Sequence, residues 1–367
     1  MKKNKILLLG GTGTLSAAVL REAVSDGYDV TIMNRGLTKK SFDFPVTTIV
    51  CDFTDITKIF QVFKDEQYAV IVDFLSRRDK DIERVYPFFS KKCSQYVFIS
   101  SSCVYRRANN DFPILETSPK PNLEWSYNVD KYECEKKLIE LAGLSNSLYT
   151  IVRPYITYDD ERIPFGITPA YHYSRTIIER IKSGKPWFIW DEGRAITTLT
   201  HTTDFARAVV GLFLNERAYN EDFHITSDFS CTQKELVNLF MLKLGIEPNY
   251  VNFNTSEILS VLPEYKGLLL GDRSLNAIFD NSKIKAAIPD FSFSVNIEEG
   301  LDRVISYWSN KGNYDYDYIF DARIDRLISR QCKVGFTPYP NISKGQKKLY
   351  YIYRYLPIGL AAKLVRR

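Results

Sequence analysis

The residues best suited to chemistry are a tyrosine and a lysine four positions apart, in Tyr127-Asn128-Val129-Asp130-Lys131. At the start of a helix this spacing puts both side chains on one face. A tyrosine with a pKa of about 10 is a poor base at neutral pH, but a neighbouring ammonium favours the phenolate. Tyr127 so placed can take a proton from a hydroxyl group. A run of small hydroxyls, Ser100-Ser101-Ser102, follows the apolar stretch Gln95–Ile99. Ligands of open parallel sheets sit at such strand ends, and a serine there can orient a reacting oxygen. A bare Tyr-x-x-x-Lys arises often by chance, as an exposed helix pair. Its meaning depends on what precedes it.

What precedes it is Gly10-Gly11-Thr12-Gly13-Thr14-Leu15-Ser16, directly between the apolar run Lys5–Leu9 and a stretch of helical periodicity over 15–26. Glycine lets the backbone turn tightly and approach a pyrophosphate. The helix that follows offers free N–H groups and a partial positive charge. A second apolar run, Val30-Thr31-Ile32-Met33, completes a strand, loop, helix and strand within about thirty residues, the pattern of a dinucleotide-binding turn. Ser16 stands where a third glycine is common, and it is small enough for close helix–strand packing. The second strand ends in Met33-Asn34-Arg35-Gly36. An acidic residue here would hold a ribose 2′-hydroxyl, whereas neutral Asn34 and cationic Arg35 suit a 2′-phosphate. The expected cofactor is NADP or NAD, with NADP favoured. Asp52-Phe53, after the third strand, would set a carboxylate against the adenine amino group.

These residues need a scaffold. Further apolar runs at 47–50, 69–72, 95–99 and 148–152 alternate with amphipathic stretches at 55–64, 80–91 and 130–142. The alternation predicts an α/β fold, a Rossmann-type doubly wound parallel sheet with helices on both faces. Residues 1–165 form the dinucleotide-binding domain, to which 196–226 return. Residues 166–195 and 227–310 form a smaller α/β substrate-binding lobe, with helices near 170–182, 232–244 and 297–308. Residues 311–367 are a linker and a basic, aromatic C-terminal tail.

Composition narrows the class. Of 367 residues, 45% are apolar and 25% charged, which excludes wholesale disorder. No apolar run approaches the roughly 18 residues of a spanning helix. Lys2-Lys3-Asn4-Lys5 precedes only four apolar residues, which reads as a buried first strand rather than a signal peptide. Six cysteines without C-x-x-C spacing, and three histidines, predict reduced thiols in a cytoplasmic protein and no metal site. The charge is uneven. The first 325 residues carry 39 basic and 44 acidic groups, whereas Arg326–Arg367 carry ten basic and none acidic. Such a tail packs on the body or a second subunit, lies peripherally on the inner membrane surface, or binds nucleic acid.

Together these motifs resemble the extended short-chain dehydrogenase/reductase family, of the NAD-dependent epimerase/dehydratase type, over roughly residues 5–310. The likeness rests on Gly10-Gly11-Thr12-Gly13, Ser100–Tyr105, Tyr127 with Lys131, Val152-Arg153-Pro154 and Thr200-His201-Thr202-Thr203-Asp204. It implies Tyr127 as acid/base and Lys131 on the nicotinamide ribose. Ser101, four residues before Tyr105, would hold the reacting oxygen, with Ser102 as the fallback. Cofactor contacts are then expected from Gly10, Thr12, Gly13, Thr14 and Leu15, from Asn34, Arg35, Asp52 and Phe53, and from Phe74 and Pro154 beside the Tyr127/Lys131 pair. The resemblance further implies a nucleotide-sugar substrate, a place in polysaccharide biosynthesis and a homodimer.

The chain also departs from the family. UDP-galactose 4-epimerase-like members carry a pyrophosphate-binding arginine where Thr197 stands; the nearest arginine is Arg194. Arg273 is only adjacent to the position of a second one. Ser102 and Cys103 stand where a dehydratase usually has an acidic pair, which favours reduction or epimerisation. Leu7–Gly36 and Thr197–Asp204 look closer to the atypical branch around chloroplast stem-loop-binding proteins, some of which bind RNA. The expected function is an NAD(P)-dependent oxidoreductase or epimerase acting on a nucleotide sugar or related activated sugar. The alternative is a nucleic-acid-binding or regulatory protein on a dinucleotide-binding scaffold. Elsewhere, His201 is expected to be structural and His224 a polar strand residue. Tyr171-His172-Tyr173 would face substrate, and Trp187 and Trp190 either stack on a sugar or base or pack in a core.

Overall fold

A computed structural model describes residues 4–38, 41–107, 112–145, 147–312, 314–332, 335, 337–338 and 342–365. The chain divides into two units, Met1–Thr157 with Thr198–Phe229 and Ile278–Val295, and Tyr158–Thr197 with Ser230–Ala277 and Asn296–Arg367.

The first unit is built on seven strands: β1 (Lys5–Leu9), β2 (Asp29–Asn34), β3 (Thr47–Val50), β4 (Tyr68–Asp73), β5 (Cys93–Ile99), β6 (Tyr149–Pro154) and β7 (Glu221–Ile225). They lie in the order β7-β6-β5-β4-β1-β2-β3, and every neighbouring pair is parallel. Strand side chains alternate between two apolar layers. Ile6, Leu8, Val70 and Val97 pack with Val19 and Leu20 of α1 (Thr14–Ser25). Leu7, Leu9, Ile71 and Phe98 pack with Ile82 and Phe89 of α3 (Asp79–Phe89) and with Leu138 of α4 (Ser126–Ser145). The short helix α2 (Ile56–Val62) lies between β3 and β4, and α5 (Thr202–Gly211) adds Phe205 and Val209 to the α1 side. This is the doubly wound sheet expected from the alternating runs.

Two segments differ from the sequence reading. Residues 278–295 belong with the sheet unit rather than with a continuous lobe over 227–310. Phe291 and Phe293 bury in the α1-side core, and the Asp204 carboxylate accepts the Ser294 and Val295 N–H groups at 2.9 and 2.8 Å. The linker expected at the start of 311–367 contains helix α6 (Tyr318–Ile328), capped by Asp317, which accepts the Phe320 N–H at 2.8 Å. Its Asp321 and Asp325 look like solvated linker charges in the sequence, yet both are buried. They bind Arg180 at 2.6 and 2.7 Å and Lys185 at 2.7 Å each. Tyr350 and Arg354 of α7 (Lys344–Tyr355) join them at Asp325. This cluster fixes one face of the tail helix within the second unit. In the same unit, Trp187 and Trp190 lie on a buried strand paired with Tyr250–Phe253, so both pack in the core rather than stack on a ligand.

A buried polar network crosses the β5, β6 and β7 ends. Arg153 of β6 donates through Nε and Nη2 to both Glu135 oxygens, at 2.8 Å each, and through Nη1 to the Tyr105 hydroxyl at 2.8 Å. His224 of β7 is fully buried, although β7 is the sheet's edge strand. Its Nε2 lies 2.6 Å from the Asp280 carbonyl, which can only accept, so Nε2 carries the proton. Its Nδ1 faces the Tyr105 hydroxyl at 3.3 Å.

Burial pushes the His224 pKa down to about 4, against about 6.5 in an unfolded chain. As pH falls between those values the unfolded chain gains a proton that the native imidazole refuses. Native stability is therefore lost in that window, by up to about 3 kcal/mol. His224→Gln should flatten this dependence in urea titrations at pH 7 and pH 5; an equal slope in both proteins would contradict it. In the lobe, Asp325→Ala removes one of the two carboxylates that face Arg180 and Lys185 and should cost about 3–5 kcal/mol. An unchanged urea midpoint would show that the cluster contributes little.

Candidate active site

The loop after β1 requires glycine at its first two positions. Gly10 and Gly11 have φ of +114° and +133°, where side chains are rarely tolerated. A Cβ on Gly11 would lie 2.8 Å from the Ile32 Cβ, and one on Gly10 would lie 3.4 Å from the Phe74 Cβ. The loop is thus pressed between the ends of β2 and β4. Ser16 does more than spare room, because its hydroxyl oxygen accepts the Gly11 and Gly13 N–H groups at 3.1 Å each. The first turn of α1 holds no acidic residue, so its positive end stays uncompensated by side chains. Thr12, Thr14 and Leu15 are half-buried around that end, Leu15 leaning on the core.

At the expected adenosine end the geometry is mixed. Arg35 is exposed, while the Asn34 side chain turns back to accept the Gly36 N–H at 2.7 Å. Asp52 accepts the Thr54 N–H and hydroxyl at 2.8 and 2.6 Å, which holds its pKa below the usual carboxylate value. Phe53 is buried, with the Arg84 guanidinium 5.5 Å from its ring centroid. Phe74 is half-buried against the α1-side core, and Pro154 ends β6.

Helix α4 carries the Tyr127 and Lys131 pair. Tyr127 stands in its first turn, 36% exposed, against the Trp125 ring at 4.8 Å. Lys131, one turn on, is buried. Its ammonium donates to the Ser76 carbonyl at 2.8 Å and the Ile99 carbonyl at 2.9 Å. Burial pushes its pKa down, against the pull of Cys134 and Asp73. An ammonium has three protons, so one is left for a ligand hydroxyl. Ser76 is itself held by Asp73 at the end of β4, whose Oδ1 accepts the Leu75 and Ser76 N–H groups at 2.8 and 3.0 Å. The Tyr96 hydroxyl donates to the other Asp73 oxygen at 2.7 Å. Gly10, the 74–76 loop, Ile99 and Lys131 therefore meet around the carboxyl ends of β1, β4 and β5.

The three serines have different partners. Ser100 donates to Glu135 at 2.5 Å and Ser102 to the Arg153 carbonyl at 2.8 Å. Ser101 accepts the Cys103 N–H at 3.2 Å, which leaves its own hydroxyl proton to donate. Sequence reading singled out neither Asp73 nor Glu135, and gave Arg153 no role. The signals were there. Glu135 continues the Tyr127, Lys131 spacing by one more turn, and an arginine inside the apolar run Tyr149–Pro154 demands a buried carboxylate.

In the second unit Thr197 supplies no charge, and Arg194 is exposed beside Glu192 at 3.2 Å. Arg273 is largely buried and ion-paired with Asp272. The half-buried Arg162 has its pKa pushed down by burial and by the Arg273 guanidinium. His172 stacks against Tyr173, ring centres 4.0 Å apart. In the first unit His201 caps α5, its Nδ1 accepting the Thr203 N–H at 3.3 Å.

The fold has many solved counterparts. An epimerase from Methanothermobacter thermautotrophicus superimposes with a TM-score of 0.67 at 15% identity, covering 84% of this chain and 93% of that one. A UDP-glucose 4-epimerase from Thermotoga maritima, solved with UDP-glucose, gives 0.62 at 19% identity, covering 83% and 98%. A dTDP-glucose 4,6-dehydratase from Bacillus anthracis, solved with NAD, gives 0.66 at 17% identity, covering 85% and 98%. In sequence, the chain is 26% identical over 270 residues to a 41 kDa chloroplast stem-loop binding protein of Arabidopsis thaliana, covering 70% of this chain and 67% of that protein. The sequence model of one family spans residues 6–225, from β1 to the end of β7, and so takes in the glycine loop and the Tyr127/Lys131 helix: the chain belongs to the NAD dependent epimerase/dehydratase family.

Proposed function

We propose that this chain moves a proton and a hydride at one carbon of a nucleotide sugar or related activated sugar. The observation that carries the reading is the Lys131 ammonium. It is fixed between the Ser76 and Ile99 carbonyls one helical turn from Tyr127, with a donor to spare. Gly10 and Gly11, both at backbone angles that favour glycine, and the α1 terminus fit a pyrophosphate. When bound there, a nicotinamide dinucleotide supplies the hydride acceptor. Exposed Arg35 beside uncharged Asn34 admits a 2′-phosphate, so both NAD and NADP suit the ribose end.

The chain's own residues do the rest. Lys131 holds the ribose through its third proton and favours the Tyr127 phenolate. Tyr127 takes the proton from the substrate hydroxyl and returns it. Ser101 donates to the same oxygen and orients it. Ser102 and Cys103 bring no acid to the position that dehydration would use, which favours epimerisation or reduction. A sugar nucleotide as substrate is supported by the related solved enzymes with UDP-glucose and NAD.

A second reading has one observation in its favour, the stem-loop binding relative. On that reading the glycine loop survives as scaffold, and Tyr127 is dispensable. The two readings part at one substitution. Tyr127→Phe should cut turnover in a nucleotide-sugar assay by about 10²–10⁴-fold, with dinucleotide affinity unchanged. Full activity in the variant would remove Tyr127 from the mechanism. No turnover by either protein, with RNA retained by both, would favour the second reading.

A further inference from the structure

The docked tail helix has a second face. Tyr350 and Arg354 point into the lobe, toward Asp325. Lys344, Lys347, Lys348, Tyr351 and Tyr355 are exposed on the adjacent face. At 3.6 residues per turn these five fall within an arc of about 100°. Tyr351 and Tyr355 stack in parallel, 6.2 Å apart. The next helix, α8 (Ile358–Val365), buries only Ala361 and exposes Leu360, Lys363, Leu364 and Val365. No described helix is long and apolar enough to cross a membrane.

We infer that the exposed faces of α7 and α8 form a docking surface for an anionic lipid bilayer. The charge is one-signed: α7 and α8 expose Lys344, Lys347, Lys348 and Lys363 and contain no acidic residue. Such clusters are drawn to anionic headgroups. Tyrosine sits at headgroup depth with its ring in the apolar boundary and its hydroxyl in water. Leu360, Leu364 and Val365 gain by leaving water beneath it. A second copy of the chain is a poorer occupant, because a two-fold interface would press the lysine cluster against itself. RNA would satisfy the lysines and tyrosines but leave three exposed aliphatic side chains without a role. The surface goes beyond the proposed catalysis, since membrane binding needs no turnover.

The test is sedimentation of the whole protein with vesicles of phosphatidylcholine alone and of phosphatidylcholine with phosphatidylglycerol. The protein should pellet with the anionic vesicles only and be released by added salt. K344E/K347E/K348E should weaken binding by roughly tenfold or more, and Y351S/Y355S should weaken it too. The melting temperature should hold in both, because the face against Asp325 is intact. If the charge-reversed chain misfolds, the triple glutamine variant and the salt titration of the unaltered protein decide. Equal pelleting with both vesicle types, or unchanged pelleting of the triple variant, would overturn the inference. So would an absence of vesicle binding in a protein that retains RNA, or whose dimer the triple variant dissolves.

Discussion

An arginine inside a buried parallel strand cannot be left alone, and Arg153 is such a residue. Stripping a guanidinium of water costs several kcal/mol unless a carboxylate replaces that water with good geometry. Glu135 does so with both oxygens. That pairing decides how α4 lies on the sheet. Once Glu135 is tied to β6, and through Ser100 to the end of β5, the residue one turn earlier on the same face is Lys131. Its ammonium falls on the Ile99 and Ser76 carbonyls. One turn earlier again is Tyr127. The helix that carries Tyr127 and Lys131 is thus tied to the sheet by a buried charge pair.

The same economy appears at the glycine loop. Asp73 closes β4 by collecting two N–H groups and two hydroxyls, and so fixes the Ser76 carbonyl that Lys131 needs. Phe74, two residues before Ser76, lies at van der Waals distance from the Cβ position of Gly10. The glycine loop and α4 are thus joined through three residues after one strand. Ser16 adds a tether of its own, replacing the space of a third glycine with two hydrogen bonds. That is a gain in order at the loop, since a glycine there would bind neither N–H.

Much of this was legible in the residues. The sheet, its helices and the loop follow from apolar runs broken by glycine, because buried parallel strands must be apolar on both faces. The Tyr127/Lys131 pair follows from helical spacing. What stayed hidden depends on partners distant in sequence. Asp321 and Asp325 look like ordinary surface charges until Arg180 and Lys185, about 140 positions away, are seen against them. Phe291 and Phe293 carry a strand-like alternation, but nothing local says which unit they cover. The tail illustrates the limit best. Its composition admitted packing or an anionic partner as alternatives, and only distant Asp325 shows that Tyr350 and Arg354 pack.

The most direct test of the account is to denature the purified protein and identify any nicotinamide nucleotide released, by mass spectrometry. The account predicts a dinucleotide bound at the Gly10–Leu15 loop. Near-stoichiometric release would mark a cycle that returns the hydride, as an epimerase does. Reversible binding of added NADPH to an empty protein would mark net reduction. Failure to bind NAD or NADP in any form would contradict the central claim that Gly10, Gly11 and Lys131 are arranged around a dinucleotide.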